Sequence, residues 1–494
     1  MKDFKSFIPL MGAKIDPVTY GVYPLSINNI DGGTVFMADK DQETFIVAVG
    51  KTWDFNGEEF ELDGLKCIAA PLNHENGEAL RKLFPFTAPV RVLGKKRTVG
   101  VGDRLGIATP GHIRVFQRYD AYPVFAQQSI RELNLTQRTY KDVLDAATFA
   151  VYREGFKKGF GADGDHLKVA SDVKMALDLG YTMITLDCSE HLHSEYANLD
   201  DAEIDKKYVP NKELEDKYLG KTFDIGENLK LSFDEKAFKK IVLIYSEVVD
   251  FATSIYNEYF TDGTYDADFE VSIDETSTPT TPLEHFFVAN ELVDRNVKFA
   301  TLAPRFCGEF QKGVDYIGDI EQFERELVDH TIIARHFGYK LSLHSGSDKF
   351  SVFSIFGKLT KGNFHVKTAG TNWLEAMKLV AMVNPELYRE VHKYALSKFN
   401  EVTKYYVVTT NINNIPDIDT LDDKELVKLF KHNDSRQLIH ITFGPILTDK
   451  DENGNYIFRD RLYKLWKKYE TQYSDLLSKH IGRHLDELYK QMKG

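Results

Sequence analysis

Cysteine is scarce in this chain: three in 494 residues, Cys67, Cys188 and Cys307, far apart and without C-x-x-C spacing. That excludes a disulfide framework and a structural zinc knuckle, and leaves buried thiols as the ordinary expectation. Apolar runs of membrane-spanning length are also lacking, and the first ten residues carry an acid and a proline where a secretory leader needs a long apolar stretch. A cytoplasmic protein with no membrane partner is expected. Positive charge is in deficit, with 62 Lys and Arg against 75 Asp and Glu and a formal charge of -13. Nucleic acid rewards clustered cations, so it is not an expected partner either. A small anionic substrate, held by a few local cations, remains open. There is no Walker A sequence, no G-x-S-x-G and no H-E-x-x-H. The one formal G-x-G-x-x-G, at residues 159–164, follows a helical segment and leads into a strand, the reverse of a dinucleotide fingerprint.

What is present is ample material for a core, with 43% hydrophobic and 13% aromatic residues. Residues 1–95 read as a strand-rich subdomain: the apolar runs 34–38 and 44–49 are separated by turn residues, as in a hairpin, and a helix is expected over 74–83. From 96 to 405, short apolar runs alternate with segments of helical period. Strands are expected at 98–105, 122–127, 166–170, 183–187, 269–273, 297–302, 340–344 and 364–368. Helices are expected at 139–158, 171–179, 233–259, 283–295, 320–337 and 373–398. Eight such repeats point to a (β/α)8 TIM-like barrel, with an open doubly wound sheet as the alternative. The charged stretch 189–232 falls in a βα connection and reads as a surface insertion or lid. Residues 406–494 read as a mostly helical extension, with helices at 420–430 and 458–492 flanking an apolar segment at 438–443. Leu462, Leu465, Trp466 and Tyr469 stand at helical spacing, as expected of a helix packed on the barrel.

Barrel chemistry gathers at the carboxyl ends of the strands, and those ends are polar here. They include Gln127-Gln128-Ser129, Asp163-Gly164-Asp165-His166, Asp187, Glu270 through Glu275, Arg305 with Glu309, His344-Ser345, and His365-Val366-Lys367. Histidines converging with a carboxylate from separate strands suit a divalent metal cation such as Zn, Mn, Ni or Co. His166 and His344 are the best candidate ligands. His365 is a third candidate, though it sits inside its strand and a satisfied core histidine is the alternative. Glu270 starts an otherwise apolar strand, where a carboxylate needs a metal, a substrate or a cation such as Arg305 or Lys367. Asp165 adjoins His166 but, in extended chain, points the other way; it is either a base beside the metal or a turn residue.

Several blocks together carry a resemblance: Gly102-Asp103-Arg104-Leu105-Gly106, Phe125-Ala126-Gln127-Gln128-Ser129, the stretch from Gly159 to His166, Phe269 to Thr276, Leu343 to Phe350 and Phe364 to Thr371. They resemble the bacterial tagaturonate/fructuronate epimerase family of hexuronate catabolism, from about residue 70 to the C-terminus, including Arg436-Gln437-Leu438-Ile439-His440. The resemblance implies a metal-dependent interconversion of D-tagaturonate and D-fructuronate. It places the proton acceptor on Asp165, the donor on Glu270, and metal-binding positions on His166 and His344. It leaves the third ligand among Glu309, His365 and a shared Glu270, and it sets Ser129 and Thr185 near the sugar. Gln127 belongs to the same polar rim. Lys367, Arg305 and Lys340 are the cations available to a substrate carboxylate.

The inverting carbon lies two bonds from the ketone, so that carbonyl does not acidify its hydrogen. Retro-aldol cleavage and re-closure fit this constraint, with a transient hydride shift as the rival. The alternatives to the function are a metal-dependent ketose 4-epimerase, aldolase or isomerase on a related sugar or sugar acid, or a sugar-binding barrel without catalysis. A homo-oligomer is compatible with all of them.

Overall fold

The structure, a computed structural model, describes residues 21–492 apart from residues 41, 63 and 369. The leader reading at residues 1–10, and the rest of the expected subdomain before residue 21, lie outside the described residues. The N-terminal unit is a five-stranded antiparallel sheet of β1 (Asn28–Ile30), β2 (Gly33–Lys40), β3 (Glu43–Val49), β4 (Glu58–Leu62) and β5 (Leu65–Pro71), in the order β1-β2-β3-β5-β4. The expected hairpin is β2–β3. Its residues alternate between two buried faces, as period-two side chains must: Val35, Met37, Ile46 and Ala48 lie in one cluster, Phe36, Ala38, Phe45 and Val47 in the other. The first face packs on α1 (His74–Leu83) and on Phe149 and Tyr152 of a barrel helix, where Tyr152 Oη donates to Val35 O at 2.8 Å. The sheet is thereby fastened to the outside of the barrel.

The barrel itself is closed and parallel. In chain order it comprises β6 (Arg97–Val101), α2 (Thr109–Phe116), β7 (Tyr122–Ser129), α3 (Ile130–Thr136), α4 (Tyr140–Arg153), β8 (Gly161–Leu167), α5 (Ala170–Asp178) and β9 (Met183–Asp187). The connection that follows holds α6 (Asp201–Lys207), α7 (Lys212–Tyr218) and a small hairpin of β10 (Thr222–Asp224) and β11 (Lys230–Ser232), so the expected insertion has structure of its own. Then come α8 (Glu235–Tyr259), β12 (Asp268–Ile273), α9 (Pro282–Asp294), β13 (Thr301–Pro304), α10 (Ile320–Phe337), β14 (Lys340–Leu343), α11 (Phe350–Leu359) and β15 (Phe364–Thr368). Pairing of β15 with β6, Val366 opposite Val99, closes the ring. Capping chemistry fixes several helix starts, among them Thr139 with Asp142 at α4 and Thr281 with Glu284 at α9.

The eight expected strands are all present, but several boundaries move. The third strand runs over Gly161–Leu167 instead of 166–170, because its first half, Gly-Ala-Asp-Gly, lacks the β-branched residues that mark a strand. The first strand ends at Val101, and the sixth begins at Thr301. The expected helix 373–398 is two, α12 (Thr371–Val383) and α13 (Pro385–Val402), because Pro385 has no N–H to continue the ladder.

In the C-terminal region, 420–430 contains short 3-10 turns, and the apolar segment 438–443 lies mainly in α14 (Asn433–Ile441), which leads to α15 (Phe443–Thr448). The expected terminal helix breaks at Tyr469 into α16 (Arg459–Lys468) and α17 (Glu470–Tyr489). Leu462 and Trp466 are buried in a second core with Trp373, and Trp466 Nε1 donates to Ala376 O at 3.1 Å. Helix α17 lies against α2 and α11 so closely that a Cβ on Gly357 would stand 1.9 Å from Leu488 O. The three cysteines are buried and unpaired. Among the described residues no helix is long and apolar enough to cross a membrane.

Candidate active site

The carboxyl ends of the strands surround a cavity of about 360 Å³. Strand β8 supplies Asp163 and Asp165, which share the inward face by alternation. A pure alternation would turn His166 outward, yet it also lines the cavity. Two features explain this: pairing of β8 with β9 shifts register between Gly164 and Leu167, and His166 adopts φ 56°, in the left-handed region. The bulge thus turns two consecutive side chains, Asp165 and His166, onto one wall.

His344 follows the last residue of β14. Its ring centroid is 5.0 Å from that of His166, with the planes at 71°. Asp274, just beyond β12, places Oδ1 3.2 Å from His344 Nδ1. Ligand atoms of His166, His344 and Asp274 all lie within 4.8 Å of one another. His166 Nδ1 is buried and makes no hydrogen bond among the described residues, although Asp187 Oδ2 is 3.4 Å away. A donor set of two imidazoles and a carboxylate, one nitrogen of it uncommitted, fits a borderline divalent cation. His166 with Asp187 and Glu275 forms an overlapping set on the same wall.

Beneath this rim lies a knot of charge. Lys367 Nζ is 2.9 Å from Asp163 Oδ2, donates to Asp165 Oδ1, donates to Thr185 Oγ1 at 2.8 Å, and is 3.8 Å from Glu270 Oε1. Burial would drive the Lys367 ammonium towards neutrality, but Asp163, Asp165 and Glu270 overcome it and hold the group protonated. Glu270 is fully buried, 2.7 Å from His344 Nε2, and accepts from Thr301 Oγ1 at 2.5 Å. Burial raises its pKa, yet His344 and then Lys367 hold it well below the ordinary glutamate range. Asp165 is likewise kept low against burial, by Lys367 and His166. Asp163 goes the other way: burial dominates, and the neighbouring Asp165 and Glu270 add to the rise.

The model of the tagaturonate epimerase family matches residues 23–488. The chain belongs to that family. The N-terminal sheet, where the sequence resemblance fades, is therefore part of the family unit. The tagaturonate/fructuronate epimerase of Thermotoga maritima is 43% identical over 477 residues, 95% of this chain and 97% of the relative. A native crystal structure of fructuronate-tagaturonate epimerase from Cohnella laeviribosi superposes with a TM-score of 0.92 at 50% identity, covering 95% of this chain and 96% of that one. A glycerol complex of the same enzyme gives 0.92 at 49%, covering 95% and 97%.

Within this epimerase framework the expected site residues separate. Asp165, His166, His344, Gln127, Ser129 and Lys367 line the cavity. Thr185 lies under it, its hydroxyl 3.0 Å from Asp163 and 3.1 Å from Glu270. His365 does not join the histidine pair: it sits one inward position below Lys367, its Nδ1 2.9 Å from Thr98 Oγ1, and burial pushes its pKa down to about 3. Glu309 pairs with Arg305 at 3.4 Å in an adjoining lobe, and Arg305 also donates to Thr276 O. Lys340 is at the amino end of its strand, bound to Lys95 O and Thr98 Oγ1. Asp274 is the carboxylate beside the two histidines that sequence reasoning passed over, although its parity with Glu270 and Ser272 on β12 already put it on the inward face.

Proposed function

We propose that this chain interconverts D-tagaturonate and D-fructuronate with the help of a divalent cation held by His166, His344 and Asp274. The observation that carries the reading is the convergence of those three side chains beside Asp165, in a chain whose relatives bear that activity in their names. A divalent cation bound there supplies Lewis acidity for the charge that develops on the ketone oxygen. Asp165 is ionised and opens onto the cavity, so it suits removal of the hydroxyl proton at the inverting carbon. Cleavage of the adjacent C–C bond, rotation of the aldehyde and re-closure then invert that carbon. Lys367 keeps Asp165 charged in its buried setting and fixes its orientation. Glu270 is not itself on the cavity wall but lies against two residues that are, Lys367 at 3.8 Å and His344 at 2.7 Å; its contact with the His344 ring favours the role of orienting a ligand, as carboxylates commonly do for metal-bound histidine.

The test is a chelated and reconstituted preparation incubated with tagaturonate, each divalent metal added in turn, and both epimers quantified. Interconversion restored by one or more metals is expected; none under any metal would defeat the proposal. Glu270→Gln refines it. An orienting role predicts roughly 10- to 100-fold weaker metal binding, whereas intact metal content with lost turnover would make Glu270 a proton donor to the substrate.

A further inference from the structure

A hexuronate carries a carboxylate as well as a ketone, and the cations first expected to meet it are already committed. Lys367 is shared among three acids, Arg305 is tied in the adjoining lobe, and Lys340 is at the far end of the barrel. Lys168, on the cavity wall, stands 3.7 Å from both Asp187 and Glu190. Two lining cations remain, Lys312 and Arg131. Among the described residues neither has a carboxylate within 4.0 Å. Lys312 Nζ donates to Ser345 Oγ at 3.3 Å, and the Arg131 guanidinium lies 5.2 Å from the Tyr406 ring.

Glu132, the acid that acts most strongly on Lys312, does not balance them, because Arg104 takes its carboxylate through Nε at 2.9 Å and Nη2 at 2.5 Å. Glu132 is thus taken by Arg104, and the other acid that acts on Lys312, Asp165, is taken by Lys367. Burial holds the Lys312 ammonium below the ordinary lysine range against the pull of Glu132, and Arg131 and Arg104 depress it further. A bound carboxylate would complete the charge balance.

We propose that Lys312 and Arg131 form the carboxylate subsite of the substrate and so set a preference for uronates over neutral ketoses. The inference rests on the function proposed above. Ser345, which receives the Lys312 hydrogen bond, follows His344 directly, so the subsite adjoins the histidine pair. Ketone and carboxyl lie on opposite sides of the inverting carbon. With the ketone at His166, His344 and Asp274 and the carboxyl at Lys312 and Arg131, that carbon is suspended between them, within reach of Asp165. Upon C–C cleavage the aldehyde fragment is the one that bears the carboxylate. The same two cations then retain it while its aldehyde end rotates.

Steady-state kinetics of Lys312→Met, Arg131→Met and Lys312→Arg on tagaturonate and on tagatose, its neutral counterpart, test the assignment. Each Met variant is expected to lower kcat/KM for tagaturonate roughly 10- to 100-fold and leave that for tagatose within about twofold, while Lys312→Arg keeps part of the tagaturonate rate that Lys312→Met loses. An unchanged ratio between the two substrates, whether both are retained or both lost, would overturn the subsite. If the unaltered protein does not turn over tagaturonate, the proposed function fails, and calorimetric binding of glucuronate against glucose tests the subsite separately. Uronate binding that disappears in the Lys312→Met, Arg131→Met double variant supports it; equal binding by both proteins refutes it.

Discussion

Lys367 is the residue on which most of the site's charge depends, since Asp163, Asp165 and Glu270 all lie within 3.8 Å of its ammonium. Replacing it with Met removes the ammonium that Asp163, Asp165 and Glu270 share, leaving buried carboxylates short of a partner, which is far costlier than the pair is worth when intact. Lys367→Met is expected to lose about 3–5 kcal/mol of stability in urea unfolding, and adding Asp163→Asn should recover part of it. No loss in the single variant would mean the acids find another partner. At this scale the sequence was partly legible. His344 could be placed on the rim because it ends the expected strand 340–344, whereas Asp165 and His166 stood at the start of the expected strand 166–170 and reach the carboxyl end only because the strand runs over Gly161–Leu167. His365 could not be told from a ligand, because two residues along a strand is about 6.6 Å, enough to move a side chain from the cavity wall into a lower layer of the barrel. Lys312 was invisible, since it sits in the irregular connection between β13 and α10 where no period fixes direction.

At the scale of elements, helix and strand periods located the repeats, and what they missed was local chemistry: the Gly-rich start of β8, the break at Pro385, and the turn at Tyr469. The contact between α11 and α17 rests on a missing side chain. With a Cβ on Gly357 only 1.9 Å from Leu488 O, and that oxygen belonging to backbone, the two helices must part to admit a methyl group. Gly357→Ala is expected to destabilise by about 1–3 kcal/mol, read as a lowered melting temperature, despite its higher helix propensity. A melting temperature at or above that of the parent would refute so close an approach. The cost reaches the site, because α17 also carries His484, whose Nε2 accepts from the backbone N–H of Asp348 at 2.9 Å, four residues beyond His344.

The whole molecule buries several histidines as neutral bases. Burial pushes His112, His330 and His392 down to about 4 from an unfolded value of 6.5. Between those values the unfolded chain binds more protons, so this contribution is complete above pH 6.5 and is lost as pH falls towards 4. Asp187, held to about 2, titrates below that window. The melting temperature is expected to fall steadily from pH 7 to pH 4.5. His392 has no hydrogen-bond partner at either ring nitrogen among the described residues, so His392→Leu should flatten the profile; an unaltered slope would exclude it as a source. The same long reach across the chain governs how the site is born. Asp165 and Lys367 are 202 residues apart, and β15 joins β6 only when the eighth strand exists. On the ribosome, three acids destined for burial emerge well before the ammonium that all three share. The acid cluster is therefore complete only in a chain that has reached its eighth strand, and epimerase activity is expected to appear with closure of the ring rather than before it.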